Sequence, residues 1–173
     1  MKKNIFHASA LGLAMSVIVG SASAAGFSPL GLEAIKDSAN LVVSHFLAQP
    51  DPEKGLAEAN TTVAACYGNF LPDAPSRYHQ SFMNAGLKCM AADMSDWTLH
   101  EWVRARVKTV GADNMYGITT NEAITLISHR MADANEKYGT IPADIPFRNF
   151  VSDLMGDART ATFEALQRQV GGK

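Results

Sequence analysis

The sequence predicts an all-α protein: a single-domain bundle of about five to seven amphipathic helices with one disulfide. Apolar residues recur at spacings of three and four along most of the 173-residue chain, as one face of a helix requires. Capping residues and prolines interrupt this pattern at several points, and no convincing run of alternating β-branched residues occurs. These observations together favour helices joined by short turns.

The N-terminal segment has the three-part form of a secretory signal peptide. Two lysines precede a run of about a dozen apolar residues, and the small residues Ala22 and Ala24 suit cleavage before Ala25. The run is shorter than the ~20 residues that a membrane-spanning helix needs. We therefore expect export, most simply to a bacterial periplasm. The predicted division is a removed signal peptide (1–24), a helical domain (25–170) and a disordered tail (171–173).

The charge balance of the mature chain excludes two classes of partner. Removing residues 1–24 takes away Lys2 and Lys3 and no acidic residue, which leaves 13 basic side chains against 17 acidic ones. A mildly acidic chain lacks the basic footprint by which proteins bind nucleic acid or anionic membranes. We expect neither a nucleic-acid partner nor stable membrane insertion after signal cleavage.

Each helix is predicted from its apolar stripe and its boundary residues. The predicted helices begin after Ser28-Pro29 and Asp51-Pro52, near Tyr78, at Ser95, at the capping box Thr119-Thr120-Asn121-Glu122 and near Phe147. Ser95 is interpreted as an N-cap, which places Asp96 at the positive end of a separate fourth helix. The last helix is expected to break at Gly156-Asp157.

Two cysteines, Cys66 and Cys89, both lie on apolar stripes of neighbouring predicted helices. In an exported chain an isolated pair is most simply a disulfide, which would clamp the second helix to the third. The alternative is two separately buried thiols, because cysteine is often a plain core residue. The spacing is too wide for a redox-catalytic pair.

Catalytic and metal-binding signatures are missing from the sequence. The four mature histidines fall on different predicted helices without the spacing of a helical zinc site, and no nucleophile, phosphate-loop or haem motif occurs. We expect no catalytic residues, no cofactor and no bound metal. The alternative is a periplasmic carrier of a small ligand or of copper or zinc in a gap between helices, with His79 and Met83 lining it.

Recognition of another protein is the remaining expectation. The predicted fourth helix carries Trp102 beside a basic strip that includes Arg104 and Arg106, and the loop after it displays Met115 and Tyr116. Arginine and aromatic side chains are favoured in protein interfaces. The plainer interpretation is the solvated edge of a helix whose tryptophans lie in the core.

The sequence therefore favours a non-enzymatic, exported protein-interaction module. An immunity or inhibitor protein, an envelope chaperone, or an accessory protein of secretion or conjugation would fit its size, compartment and class.

Overall fold

The computed structural model describes residues 26–69, 80–106, 114–115 and 118–171. The all-α prediction is confirmed: helices account for most of these residues, and a two-residue antiparallel ladder is the only sheet in this part of the chain. The helices are α1 (Pro29–Leu47), α2 (Pro52–Gly68), α3 (Gln80–Arg106), α4 (Thr120–Tyr138) and α5 (Phe147–Gly171). The ladder pairs β1 (Asn114–Met115) with β2 (Ile118–Thr119). The predicted signal peptide lies outside the described residues.

The first two helices begin where the sequence predicts. The Ser28 hydroxyl accepts a hydrogen bond from the Gly31 backbone N–H at 3.2 Å, and proline occupies the first helical position of α1. At α2 the Asp51 carboxylate accepts hydrogen bonds from the Glu53 and Lys54 backbone N–H groups. These oxygens satisfy N–H groups that have no partner within the helix.

The predicted break at Ser95 is wrong, because one continuous 27-residue helix, α3, covers both the third and the fourth predicted helices. Ser95 is buried inside α3, where its hydroxyl donates to the Ala91 carbonyl one turn back. No proline or glycine interrupts the chain between Leu87 and Arg106. Serine can cap a helix, but it is also tolerated inside one when its hydroxyl bonds to the preceding turn.

The predicted break at Gly156 is also wrong, since α5 continues through it. Gly156 is exposed, and a single glycine in a helix costs only about 1 kcal/mol, which the packing of α5 outweighs. The helix extends through Gly171, the first residue of the predicted tail, and the other two tail residues lie outside the described part of the chain. The predicted stop of α4 is confirmed, and Gly139 there has a φ of 63°.

The helix α3 is the centre of the bundle and contacts each of the other four helices. Helices α1 and α5 run parallel along one side of it: Phe27 packs on Phe150, and further along Arg168 donates to Asn40. Around α3 the core forms two apolar clusters, one reaching α4 through Ile127 and Met131, the other reaching α2. Because α3 is surrounded, it has no single apolar stripe.

Two glycines permit close approach between elements. A Cβ atom at Gly55 would lie 2.7 Å from the Phe46 ring and carbonyl oxygen, where α2 passes α1. A Cβ atom at Gly86 would overlap the Thr140 hydroxyl, where the turn after α4 passes α3. Only glycine fits at such contacts without a shift of the neighbouring element.

The predicted disulfide is confirmed. Cys66 near the end of α2 is bonded to Cys89 in α3, with their Cα atoms 5.5 Å apart. The disulfide clamps the second helix to the third, as the sequence predicts. It also fixes the register between α2 and the buried middle of α3.

Candidate functional site

Polar side chains are buried in the middle of α3, where an apolar core would be expected. Among them are Asp93, Asp96 and His100, whose spacing of three and four residues places them on one face of the helix. The Ser95 and Thr98 hydroxyls, also buried, donate to backbone carbonyls one turn earlier and need no other partner. The two carboxyl groups and the imidazole are therefore the chemically informative groups of α3.

Asp93 lies in a cluster to which three helices contribute. The Arg130 guanidinium on α4 donates to the Asp93 carboxylate at 3.3 Å, and the Tyr67 hydroxyl on α2 is a second hydrogen-bonding neighbour of the same carboxylate. The Arg130 guanidinium also lies 5.8 Å from the centre of the Tyr67 ring. We call these three residues the Asp93 cluster.

Burial dominates the electrostatics of the Asp93 cluster. It raises the pKa of Asp93 to about 6, although the Arg130 charge and the hydrogen bonds from Tyr67 and Arg130 act in the opposite direction. Burial and the nearby Asp93 charge also raise the pKa of Tyr67 far above its ordinary value. Tyr67 therefore stays a protonated donor, and Asp93 is the group that changes charge in mild acid.

A second polar pair lies further along the same face of α3. His100 Nε2 is 3.8 Å from Asp96 Oδ1, and both side chains are buried. Burial, aided by the charge of Arg104, lowers the pKa of His100 to about 4. The imidazole is therefore neutral at pH 7. The prediction that Asp96 lies at a helix N-terminus is wrong, because α3 has no boundary there.

We expect His100→Gln to make the protein more tolerant of acid. A histidine whose pKa is about 4 when folded and ~6.5 when unfolded contributes stability that is fully present above pH 6.5 and is lost as the pH falls through 4. Between pH 7 and pH 4 the free energy of unfolding should therefore fall less in the variant than in the wild type, by up to about 3 kcal/mol. Urea unfolding at a series of pH values measures this difference.

The matched control is His129→Gln, which removes an exposed imidazole from α4. Its stability curve should run parallel to that of the wild type. Asp93 has the opposite pH dependence, because its raised pKa gives stability that is lost as the pH rises through 6. This contribution is present in both proteins. The effect of His100 is therefore read from the difference between the variant and the wild type. Identical pH profiles for His100→Gln and the wild type would refute the assignment.

Three of the predicted partner-binding residues, Trp102, Arg104 and Arg106, lie near the C-terminal end of α3. Trp102 is half-buried and packs edge-on against Phe46 of α1, with 6.1 Å between ring centres. The exposed Arg106 guanidinium lies 4.5 Å from the centre of the Trp102 ring and donates to the Trp102 carbonyl. Arg104 is half-buried and acts on His100. Trp102 therefore lies partly in the core, as the plainer interpretation expects, and its ring also contacts the exposed guanidinium of Arg106.

The loop residues predicted for the same surface are only partly described. The Met115 backbone pairs with Ile118 in the short ladder, whereas Tyr116 lies outside the described residues. The alternative metal ligands are similarly divided: His79 lies outside the described residues, and Met83 is half-buried in α3. Within the described ranges no group of three His, Cys, Asp or Glu side chains could hold a metal ion.

Two depressions between helices in the described part of the chain do not resemble a small-molecule site. A groove of about 80 Å³ lies between α1 and α5, well below the ~300 Å³ that ligand pockets occupy. A larger one of about 400 Å³ between α1 and α3 is wide open, and Glu33, Asp37 and Lys88 are among its lining residues. Neither depression is lined by Met83 or by the Asp93 cluster.

No known protein family, curated protein or solved structure matches this chain. In the described part of the chain no helix combines the length and apolar character needed to cross a membrane.

Proposed function

We propose that this chain is an exported protein-interaction module that binds another envelope or exported protein through the C-terminal end of α3. The binding surface consists of Trp102, Arg104 and Arg106, and we extend it to the following Met115 and Tyr116. An immunity or inhibitor protein, an envelope chaperone, or an accessory protein of secretion or conjugation would act in this way.

The observation that carries the proposal is the stacked pair of Trp102 and Arg106. Trp102 is held in place by its packing on Phe46, and its ring and carbonyl hold the Arg106 guanidinium in an exposed position. A cation that is ordered before binding loses less conformational entropy when a partner carboxylate pairs with it. Tryptophan and arginine are also the residues most enriched in interface hot spots.

Two further features support the proposal. The buried polar groups of α3 are closed off from a substrate, and the larger depression is open and lined by charged residues. The disulfide between Cys66 and Cys89 fits an oxidising compartment.

We expect Arg106→Glu to weaken partner binding by roughly 30-fold without changing the fold. Reversing this charge repels an acidic partner surface, and loss of a hot spot costs ~2 kcal/mol of binding, which is about a factor of 30. The measurement uses the chain from Ala25 as bait in an envelope extract, with captured proteins identified and quantified by mass spectrometry. The intact mass of the native protein from the envelope checks the predicted start at Ala25.

Arg159→Glu is the matched control for this experiment. Arg159 is also exposed, and its guanidinium lies 5.8 Å from the centre of the Phe163 ring on α5, so the same charge change is made on a similar stacked pair elsewhere. A partner lost with Arg106→Glu and kept with Arg159→Glu supports the surface. Equal capture by both variants places the interface elsewhere, and unfolding of Arg106→Glu alone assigns that residue a structural role. Stoichiometric copper or zinc in the purified protein would favour the carrier alternative.

A further inference from the structure

The Asp93 cluster buries its carboxylate completely and leaves part of its cation exposed. The Asp93 side chain is fully buried, whereas 21% of the Arg130 side chain surface is exposed. Arginine keeps its charge at any physiological pH, so Asp93 is the member that can be neutralised. A buried cation without a counter-charge is costly, and Arg130 can avoid that cost by turning outward.

We propose that the Asp93 cluster is an acid-released latch: the ionised Asp93 carboxylate holds the Arg130 guanidinium between α2, α3 and α4, and proton uptake by Asp93 releases that guanidinium to solvent. The consequence is local. Acid removes a polar link between α4 and the rest of the bundle and presents a new exposed cation, while the apolar contacts of Ile127 and Met131 still hold α4 in place.

The position of α4 explains why such a latch would matter. The main helix contacts of α4 are with α3, and Arg130 is the residue through which α4 also reaches Tyr67 on α2. The link therefore spans three helices, at a point next to the disulfide, because Tyr67 follows Cys66 and Asp93 lies one turn after Cys89. Release of Arg130 would leave α2 and α3 joined and would loosen α4 alone.

The charged and titratable groups near Asp93 determine which other proton transfers could accompany its own. Arg130 on α4 and Tyr67 on α2 act on the Asp93 carboxyl, and no charge from α1 or α5 in the described part of the chain is among its influences. Asp96 and His100 share its face of α3, and the pKa of His100 is lowered to about 4. The Asp93 pKa of about 6 therefore places release in mild acid, apart from the titration of His100.

The test is a titration of the full mature chain by NMR between pH 4.5 and pH 7.5. The experiment uses a His129→Gln background, because the exposed His129 ring adjoins Arg130 in the sequence and would complicate its signals. The carboxyl carbon of Asp93 and the guanidinium N–H groups of Arg130 are followed, because Nη1 of that guanidinium donates to Asp93. We expect both to change with one midpoint near pH 6, and the protection of the Arg130 Nη1 hydrogens against exchange to fall at least about tenfold on the acid side.

Asp93→Asn should reproduce the acid state at pH 7, with the Arg130 signal at its low-pH position and no transition. Asp133→Asn removes an exposed carboxyl from α4 and should keep the wild-type transition. The proposal is overturned if Asp93 titrates without a change at Arg130, or if the Arg130 transition persists in Asp93→Asn. If Asp93→Asn does not fold, the titration of Asp93 and Arg130 in the His129→Gln chain still decides. The partner-binding surface is not involved, so this result is independent of the proposed function.

Discussion

Arg130→Met is expected to lower the free energy of unfolding by about 3 kcal/mol at pH 7, because it leaves the Asp93 carboxylate buried without its counter-charge. Methionine keeps much of the length and apolar surface of the arginine stem, so lost packing contributes little. Urea unfolding followed by circular dichroism measures the loss.

The loss should depend on pH in a way that a packing defect would not. A protonated Asp93 needs no cation, so the deficit of Arg130→Met should shrink as the pH falls from 7 to 5. Adding Asp93→Asn to Arg130→Met should recover most of the stability at pH 7, since the charge and its counter-charge are then both absent.

Arg148→Met is the control, because Arg148 is an exposed arginine on α5 and its replacement should change stability by less than ~0.5 kcal/mol. A deficit of Arg130→Met that stays constant with pH would show that the residue acts by packing. A loss as small as that of Arg148→Met would show that the ion pair between Asp93 and Arg130 does not stabilise the fold.

Local sequence signals predict the ends of α1, α2 and α4 because the deciding interactions are themselves local. Ser28, Asp51 and Gly139 each act on backbone groups within about one turn of their own position. The same reasoning fails at Ser95, where a capping residue lies inside α3. Burial by four surrounding helices keeps the chain helical there, and that burial depends on residues far along the sequence.

Sites can be predicted from the sequence only when their partners are unambiguous, as the predicted disulfide and the missed Asp93 cluster show. When an exported chain has only two cysteines, each has the other as its obvious partner, so Cys66 and Cys89 could be paired from the sequence. Asp93 is separated from Arg130 by 37 residues, and many other arginines could have been its partner. The available signal was that Asp93 lies one turn after Cys89, in line with an apolar stripe, where a carboxylate needs a buried partner.

Replacing Cys66 and Cys89 together with alanine is expected to lower the free energy of unfolding by about 3 kcal/mol. The disulfide joins residues 23 apart, and a loop of this size contributes roughly that amount by restricting the unfolded chain. The midpoint of thermal unfolding should fall by about 6–12 °C for a chain of this length. A reducing agent should lower the stability of the wild type to that of the variant and leave the variant unchanged. Reactive thiols in the unfolded, unreduced wild type would contradict the disulfide.

The disulfide and the Asp93 cluster should also be coupled, because Cys66 precedes Tyr67 and Cys89 lies one turn before Asp93. Without the disulfide, the end of α2 can move away from α3, and Tyr67 no longer holds its place beside Asp93 and Arg130. Part of the stabilisation from Arg130 is then already lost, so adding Arg130→Met to the cysteine variant should cost less than it costs in the wild type. A double-mutant cycle should give a coupling energy above about 0.5 kcal/mol. Strict additivity would instead mean that the disulfide holds α2 on α3 without positioning Tyr67.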